Sequence, residues 1–368
     1  MNTKNSLKNI IKKLNNKTEK YKNASIVIFG TASCGNMAYN CIKSKEKKIS
    51  AFIDNNEANN NKIIIDNIKC FTPETYISDT QENHIYVIAT GNHLYKLLKE
   101  QTENLLKKYN KNGIVLTFNE YAISENFDSI KTIYNLLEDK ESKKIYTTIL
   151  LSRLTNDDSI LKTIYEPVQY FCLPEMCQSG MANEIFVDCG AYVGDTIEKY
   201  LFYCGYLFKR IYAFEPGEKT FKALKIRSER LKQEWALDDN QILCINKGIG
   251  DTDKKMYLAK GTIDIGGSFV KNEYSDGNSE CEICSIDNTI NEAVNFIKAD
   301  VEGYELKMLQ GAKEHIKKYK PKLAISIYHS PYDLFEIAEY IKTLVPEYKF
   351  KIRHHSTCFY ETVLYCYI

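Results

Sequence analysis

Short apolar runs and helical stripes alternate along most of this chain. Ser25–Gly30 (SIVIFG) is a continuous apolar run closed by glycine, the pattern of a strand buried on both faces. Similar runs recur at Ile49–Ile53, Ile85–Ala89 and Ile114–Thr117. Between them lie helical spacings, through Met37, Ala38 and Ile42 and from Asn92 to about Tyr109. Ahead of them Leu7, Ile10, Ile11 and Leu14 repeat at helical spacing among lysines, which predicts a surface helix over 5–21. Over 121–182 the strand runs stop. Ile130, Ile133, Tyr134, Leu136 and Leu137, and then Ile145, Ile149, Leu150 and Leu154, predict two or three helices around the charged patch Glu138–Lys144. Pro167 and Pro174 bracket an extended Gln169-Tyr170-Phe171.

From Glu184 the strand–helix alternation resumes. Strands are predicted at Ile185–Val187, Arg210–Phe214, Ile242–Asn246, Phe296–Ala299 and Leu323–Tyr328. Helices are predicted at Lys219–Gln233, Glu302–Tyr319 and Tyr332–Leu344. Two last strands, Tyr348–Arg353 and Glu361–Tyr367, have so little between them that they read as an antiparallel hairpin. Residues 255–286 read as short strands and loop, with Gly266-Gly267-Ser268 among them. The alternation implies α/β architecture. It divides into a smaller Rossmann-like α/β domain at 1–120, a helical bridge at 121–182 and a larger doubly wound domain at 183–368.

Composition narrows the classes. With 368 residues, 44% apolar and 26% charged, the chain can build two cores. A formal net charge of +1 gives no basic excess, so no nucleic-acid partner is expected. No run approaches eighteen apolar residues, so no membrane span is expected. Met1–Lys20 is polar and lacks the apolar stretch of a signal peptide, which points to the cytoplasm. The 12 cysteines are scattered, and Cys34, Cys41, Cys189 and Cys244 fall in or beside core elements. Cys281 and Cys284 have CxxC spacing but no second pair, so a strand edge at Glu282–Ile286 is the better reading.

The chemistry begins at EIFVDCGAYVGD, 184–195. Asp188 stands where the first strand of the larger domain should end, and Gly190 and Gly194 form the turn into a helix. Such a turn lets backbone approach a ligand without a Cβ in the way. Glu215 follows Gly190 by 25 residues, at the end of the second strand, where a carboxylate can accept from both hydroxyls of a ribose. Asp251 and Asp300 occupy the corresponding positions after later strands. Asp188 and Asp195 flank the turn and would repel a pyrophosphate. A sulfonium nucleoside is cationic there, so charge favours S-adenosylmethionine over NAD. The front domain has a weaker version of this turn, Gly30–Gly35, with Ala32 at the middle glycine position and Asp54 placed 24 residues beyond Gly30. It is either structural or binds a nucleotide or sugar nucleotide.

VDCGAYVGDT (187–196), YAFEP (212–216), NKGIGD (246–251), FIKADVEGYELKMLQGA (296–312) and KPKLAISIYHSPYDL (320–334) together resemble the successive motifs of the FkbM family of S-adenosylmethionine-dependent methyltransferases. The front domain resembles the FIDNN-type amino-terminal domains of bacterial surface-sugar enzymes. The FkbM resemblance implies a class I methyltransferase sheet closed by an antiparallel hairpin. It implies a cofactor loop of Asp188, Gly190, Tyr192 and Gly194, with Glu215 on the ribose and Asp251 near the adenine. It places Asp300, Glu302 and His329 where methyl group and acceptor meet, with Asp300 or His329 polarising an acceptor hydroxyl. No resident metal is assigned, although Asp300, Glu302 and His329 would suit a divalent ion. Tyr170 can face the site or pack in the core, and Gly303 and Gly311 read as helix-packing positions. The implied activity is O-methylation of a sugar or glycan hydroxyl in surface polysaccharide or glycoprotein modification. An NAD-type oxidoreductase acting through 25–117 and a non-catalytic scaffold stay open, as do the acceptor and the oligomeric state.

Overall fold

The computed structural model describes residues 3–177, 182–204, 207–258, 270–271 and 279–368. The chain divides into two compact units. One comprises Met1–Ile130 and Thr147–Asp158, and the other Lys131–Tyr146 and Ser159–Ile368. The division therefore runs through the helical segment, which contains Phe118–Glu125, Phe127–Leu136 and Lys140–Thr155.

The first unit is built on a six-stranded sheet. Its strands are β1 (Ser25–Phe29), β2 (Ile49–Ile53), β3 (Ile63–Ile65), β4 (Ile68–Phe71), β5 (His84–Ile88) and β6 (Gly113–Thr117), in the order β3-β4-β2-β1-β5-β6. All pairings are parallel except β3 with β4. That short hairpin has no counterpart in the apolar pattern, because no residue of β3 is buried and only Cys70 of β4 is. The central strand β1 is buried along its whole length, as its unbroken apolar run requires.

The second unit carries a seven-stranded sheet and a small four-stranded one. Its strands are β7 (Ile185–Cys189), β8 (Arg210–Phe214), β9 (Ile242–Ile245), β10 (Gly248–Ile249), β11 (Lys254–Leu258), β12 (Val270–Lys271), β13 (Ser279–Cys284), β14 (Phe296–Ala299), β15 (Lys322–Ser326), β16 (Lys349–His354) and β17 (Thr362–Tyr367). The large sheet has the order β16-β17-β15-β14-β7-β8-β9. Its strands are parallel from β15 through β9, while β17 runs antiparallel to both β15 and β16. The order of strand addition reverses between β7 and β14, so the crevice for a ligand opens at their carboxyl ends. The small sheet, β10-β13-β11-β12, holds the CxxC pair. Cys281 and Cys284 lie three apart on β13, on opposite faces, and cannot converge on one ion. Gly266-Gly267-Ser268 lies outside the described residues.

Aromatic packing holds the segment before β7 against this sheet. Phe171 packs on Phe186, Tyr200 and Phe296 at ring separations of 6.1–6.4 Å, and Phe186 stacks on Tyr200 at 4.6 Å. One expected helix is corrected. Glu302–Tyr319 is not continuous but consists of Glu305–Gly311 and Lys313–Tyr319. Glu302 and Gly303 have φ of 56° and 89°, left-handed values that no helix admits. The two glycines of this region differ in role. A Cβ on Gly311 would lie 1.9 Å from the Gly250 carbonyl oxygen, whereas one on Gly303 would meet nothing nearer than 3.7 Å. Gly311 serves close packing, and Gly303 serves the turn.

Candidate functional site

The first turn after β7 is held from three sides. Gly190 and Gly194 have φ of 77° and 84°, and Tyr192 between them has φ of 50° with its side chain at the surface. A Cβ on Gly190 would lie 1.9 Å from the Asp300 carbonyl oxygen, so the loop and the end of β14 touch backbone to backbone. Gly190 and Ala191 donate their N–H groups to the Phe214 carbonyl of β8.

Glu215 fastens the third side. Its Oε2 accepts from the Tyr192 N–H at 3.0 Å, and its Oε1 accepts from the Gly217 N–H at 2.8 Å and the Thr220 hydroxyl at 2.6 Å. Burial pushes its pKa up, and these bonds offset the rise only in part. A carboxylate has about four acceptor positions, so one on Oε2 is unfilled by these three bonds.

Asp188 lies beneath the turn. It is fully buried, and Lys298 Nζ stands 2.9 Å from its Oδ1. The two residues are register partners on β7 and β14. Lys298 also donates to the Gly190 carbonyl at 2.8 Å. Burial would discharge this ammonium, but Asp188 and Asp300 outweigh it and hold the lysine pKa above its ordinary value. Asp188 thus acts on the loop through Lys298, a residue that the apolar pattern of β14 concealed.

The other predicted acids separate into two places. Asp251 pairs with Lys254 at 2.9 Å and Lys307 at 3.0 Å. Burial opposes its charge, yet the two lysines bring its pKa down to about 2. Asp300, Glu302 and His329 do come together. His329 Nε2 lies 3.6 Å from Asp300 Oδ1 and 3.4 Å from Glu302 Oε2.

Sequence reasoning missed several members of this cluster. Glu305 reaches His329 Nδ1 at 3.2 Å. Asp300 accepts from the Tyr170 hydroxyl at 2.9 Å and the Tyr328 hydroxyl at 3.0 Å. Glu361 is largely buried, and its pKa is raised by that burial and then by Asp300. Burial opposes the charge on His329, but Glu305, Glu302 and Asp300 outweigh it and lift its pKa well above that of free histidine. Tyr170 unites its two expected roles, since the residue is 3% exposed while its hydroxyl reaches Asp300. Its backbone N–H donates to Tyr365 Oη at 3.0 Å, and Tyr365 Oη lies 2.8 Å from His355 Nε2. His355 Nδ1 lies 2.8 Å from the Glu166 carbonyl, so Nδ1 carries the proton and Nε2 accepts from the tyrosine.

In the first unit, Asp54 is turned inward. Its Oδ2 accepts from the Thr31 N–H at 3.1 Å and the Thr31 hydroxyl at 2.7 Å, and its Oδ1 from the Asn56 N–H at 2.9 Å. The acid expected to meet a ribose closes the Gly30–Thr31 turn on itself.

Residues 188–352 match the methyltransferase FkbM domain. The solved structure of methyltransferase FkbM from Methylobacillus flagellatus KT has the same fold, with 20% identity and a TM-score of 0.59, covering 100% of this chain and 99% of that one. Slighter likenesses extend to an rRNA methylase from Streptococcus thermophilus (15% identity, 52% of this chain and 89% of that one, TM-score 0.33). Another is to Aeropyrum pernix fibrillarin with natively bound S-adenosyl-L-methionine (14% identity, 58% and 74%, TM-score 0.32). No curated protein matches the chain. The cofactor of the FkbM domain is S-adenosylmethionine, and the donor set fits it. Lys298 is matched to Asp188 beneath the loop, which leaves carboxylates in excess around His329 to face a cationic sulfonium.

Lys298→Met would strand a buried carboxylate and should cost about 3–5 kcal/mol. The double variant Lys298→Met/Asp188→Leu should recover most of that stability in urea unfolding, yet not the affinity for S-adenosylhomocysteine, because the Gly190 clamp is still missing. Recovery of both would reduce Lys298 to a packing role. Burial lowers the His355 pKa to about 4, against about 6.5 unfolded. The stability this neutral imidazole contributes is complete above about pH 6.5 and is lost as pH falls through 4, about 3 kcal/mol in all. A His355→Gln variant should show a flatter decline in urea midpoint between pH 6.5 and 4. His84 is depressed in the same direction by burial and contributes equally to both proteins.

Proposed function

We propose that the FkbM domain transfers a methyl group to a hydroxyl oxygen. The observation that carries this reading is the contact between loop and cluster, a Gly190 turn set against the backbone of Asp300. The donor's loop and a carboxylate able to polarise an acceptor thereby share one crevice. Methyl transfer is an in-line displacement at an already electrophilic carbon, so alignment is the main task. An alcohol must also shed its proton, for which a positioned base contributes roughly 10²–10⁴-fold. Asp300 suits that role better than His329, whose pKa its carboxylate neighbours lift well above that of free histidine. Tyr170 and Tyr328 fix the Asp300 carboxylate by their hydroxyls.

Gly190, Gly194 and Tyr192 would border the amino acid part of the cofactor, and Glu215 would take the ribose through its open acceptor position. Asp251 would approach the adenine only by giving up Lys254 or Lys307. The acceptor we propose is a sugar or glycan hydroxyl, in cytoplasmic assembly of a surface polysaccharide or glycoprotein. This rests on the likeness of the front domain to modules of surface-sugar enzymes. The degraded glycine turn of the first unit, with Ala32 at the middle position, favours a structural role over NAD binding there.

Mass spectrometry of the native glycan with and without the gene tests the acceptor class. A deletion strain with unchanged glycan methylation would remove it. Glu215→Ala should weaken S-adenosylhomocysteine binding tenfold or more by calorimetry, as loss of hydrogen bonds to a charged group implies. Unchanged affinity would end the ribose assignment. Asp300→Asn should lower methyl incorporation into glycan from the deletion strain by about 10²-fold or more while cofactor affinity stays within a few-fold. Equal losses in both would make Asp300 structural.

A further inference from the structure

The cluster at the end of β14 has more carboxylate than its single imidazole balances. His329, its side chain 7% exposed, stands at ion-pair distance from Asp300, Glu302 and Glu305. Yet neither of its ring nitrogens completes a hydrogen bond. Glu305 is 1% exposed, and while its Oε1 accepts from the Val301 N–H at 2.8 Å, its Oε2 has no hydrogen-bond partner. Buried polar atoms without partners are costly. One donor atom from each of Asp300, Glu305 and His329 lies within 4.8 Å of the others.

An ion here would be held at one ring nitrogen of His329, with a carboxylate oxygen from each of Asp300 and Glu305 within 4.8 Å of it and of each other. Asp300 Oδ1 and Glu302 Oε2 stand 3.6 and 3.4 Å from His329 Nε2, and Glu305 Oε1 stands 3.2 Å from Nδ1, all long for charge-assisted hydrogen bonds. Ligands at about 2.0–2.2 Å from a first-row divalent cation stand about 3.0 Å apart when cis in an octahedron and about 3.4 Å in a tetrahedron. Two carboxylates and an imidazole form an N/O donor set for such a cation. Tyr170 and Tyr328 donate to Asp300, the outer-layer support that orients a ligating carboxylate.

We propose that Asp300, Glu305 and His329 bind a divalent first-row metal ion, with Glu302 at its open side. Binding would engage one unpartnered ring nitrogen of His329 and a carboxylate oxygen from each of Asp300 and Glu305. A cation at this place would also lower the pKa of a hydroxyl brought to it. The proposal stands on donor geometry and does not depend on which acceptor is methylated.

Full-length protein stripped with EDTA and dialysed is titrated with MnCl2, free Mn2+ being read by its paramagnetic resonance. One Mn2+ should bind per chain, saturably and without cofactor, and should raise the melting temperature. His329→Gln and Glu305→Gln should each weaken Mn2+ binding tenfold or more and abolish the thermal shift. Circular dichroism and S-adenosylhomocysteine affinity certify each variant as folded, and Asp300→Asn replaces one that is not. The absence of saturable Mn2+ binding by the wild-type chain, or equal affinity in the folded variants, overturns the site in favour of a plain imidazolium among carboxylates. Cofactor affinity is measured separately, so a methyltransferase without a metal and a metal site without a methyltransferase give different results.

Discussion

A buried ion pair organises the site. Lys298 and Asp188 face each other on adjacent parallel strands, both withdrawn from water. Neither charge is tolerable alone at that depth, so each fixes the register of the other's strand. The same ammonium reaches up to the Gly190 carbonyl. The glycine turn, the end of β14 and hence Asp300 are thereby set relative to one another by one side chain. Because Gly190 has no Cβ, its backbone can close onto Asp300 and complete the crevice.

Charge at the sheet edge follows from this arrangement. The sum of acids anticipated from the chain is real, but its members do different work. Asp188 is spent on Lys298, Asp195 pairs with Lys199 and Asp251 with its two lysines. What confronts a ligand is Asp300, Glu302, Glu305 and Glu361 around one histidine. Such a place repels a diphosphate and welcomes a sulfonium or a metal ion. A charge preference at this edge would then rest on these carboxylates and not on Asp188 and Asp195.

The segment before β7 belongs functionally with the carboxy-terminal strands. Tyr170 meets Asp300 by its hydroxyl and Tyr365 by its backbone, and Gln169 donates to Glu361. A buried, neutral His355 anchors that arrangement at the other end. The residues around Asp300 thus come from chain regions far apart, joined by hydrogen bonds that only a closed sheet brings into reach.

Periodicity alone determined most of the elements. The apolar runs at β1, β7, β8 and β14 are what strands buried on both faces must look like, and Gly190, Gly194 and Glu215 follow from the needs of a strand–turn–helix. It could not show that Glu302 and Gly303 break a helix, since left-handed backbone leaves little trace in hydrophobicity. Nor could it reveal Lys298, which breaks an apolar run and gains meaning only from Asp188 across the strand gap. Tyr328, Glu305 and Glu361 were as hidden. A sequence records which face of an element is apolar. Which polar atoms then meet is decided by strand order and register, and these exist only once the sheet has formed.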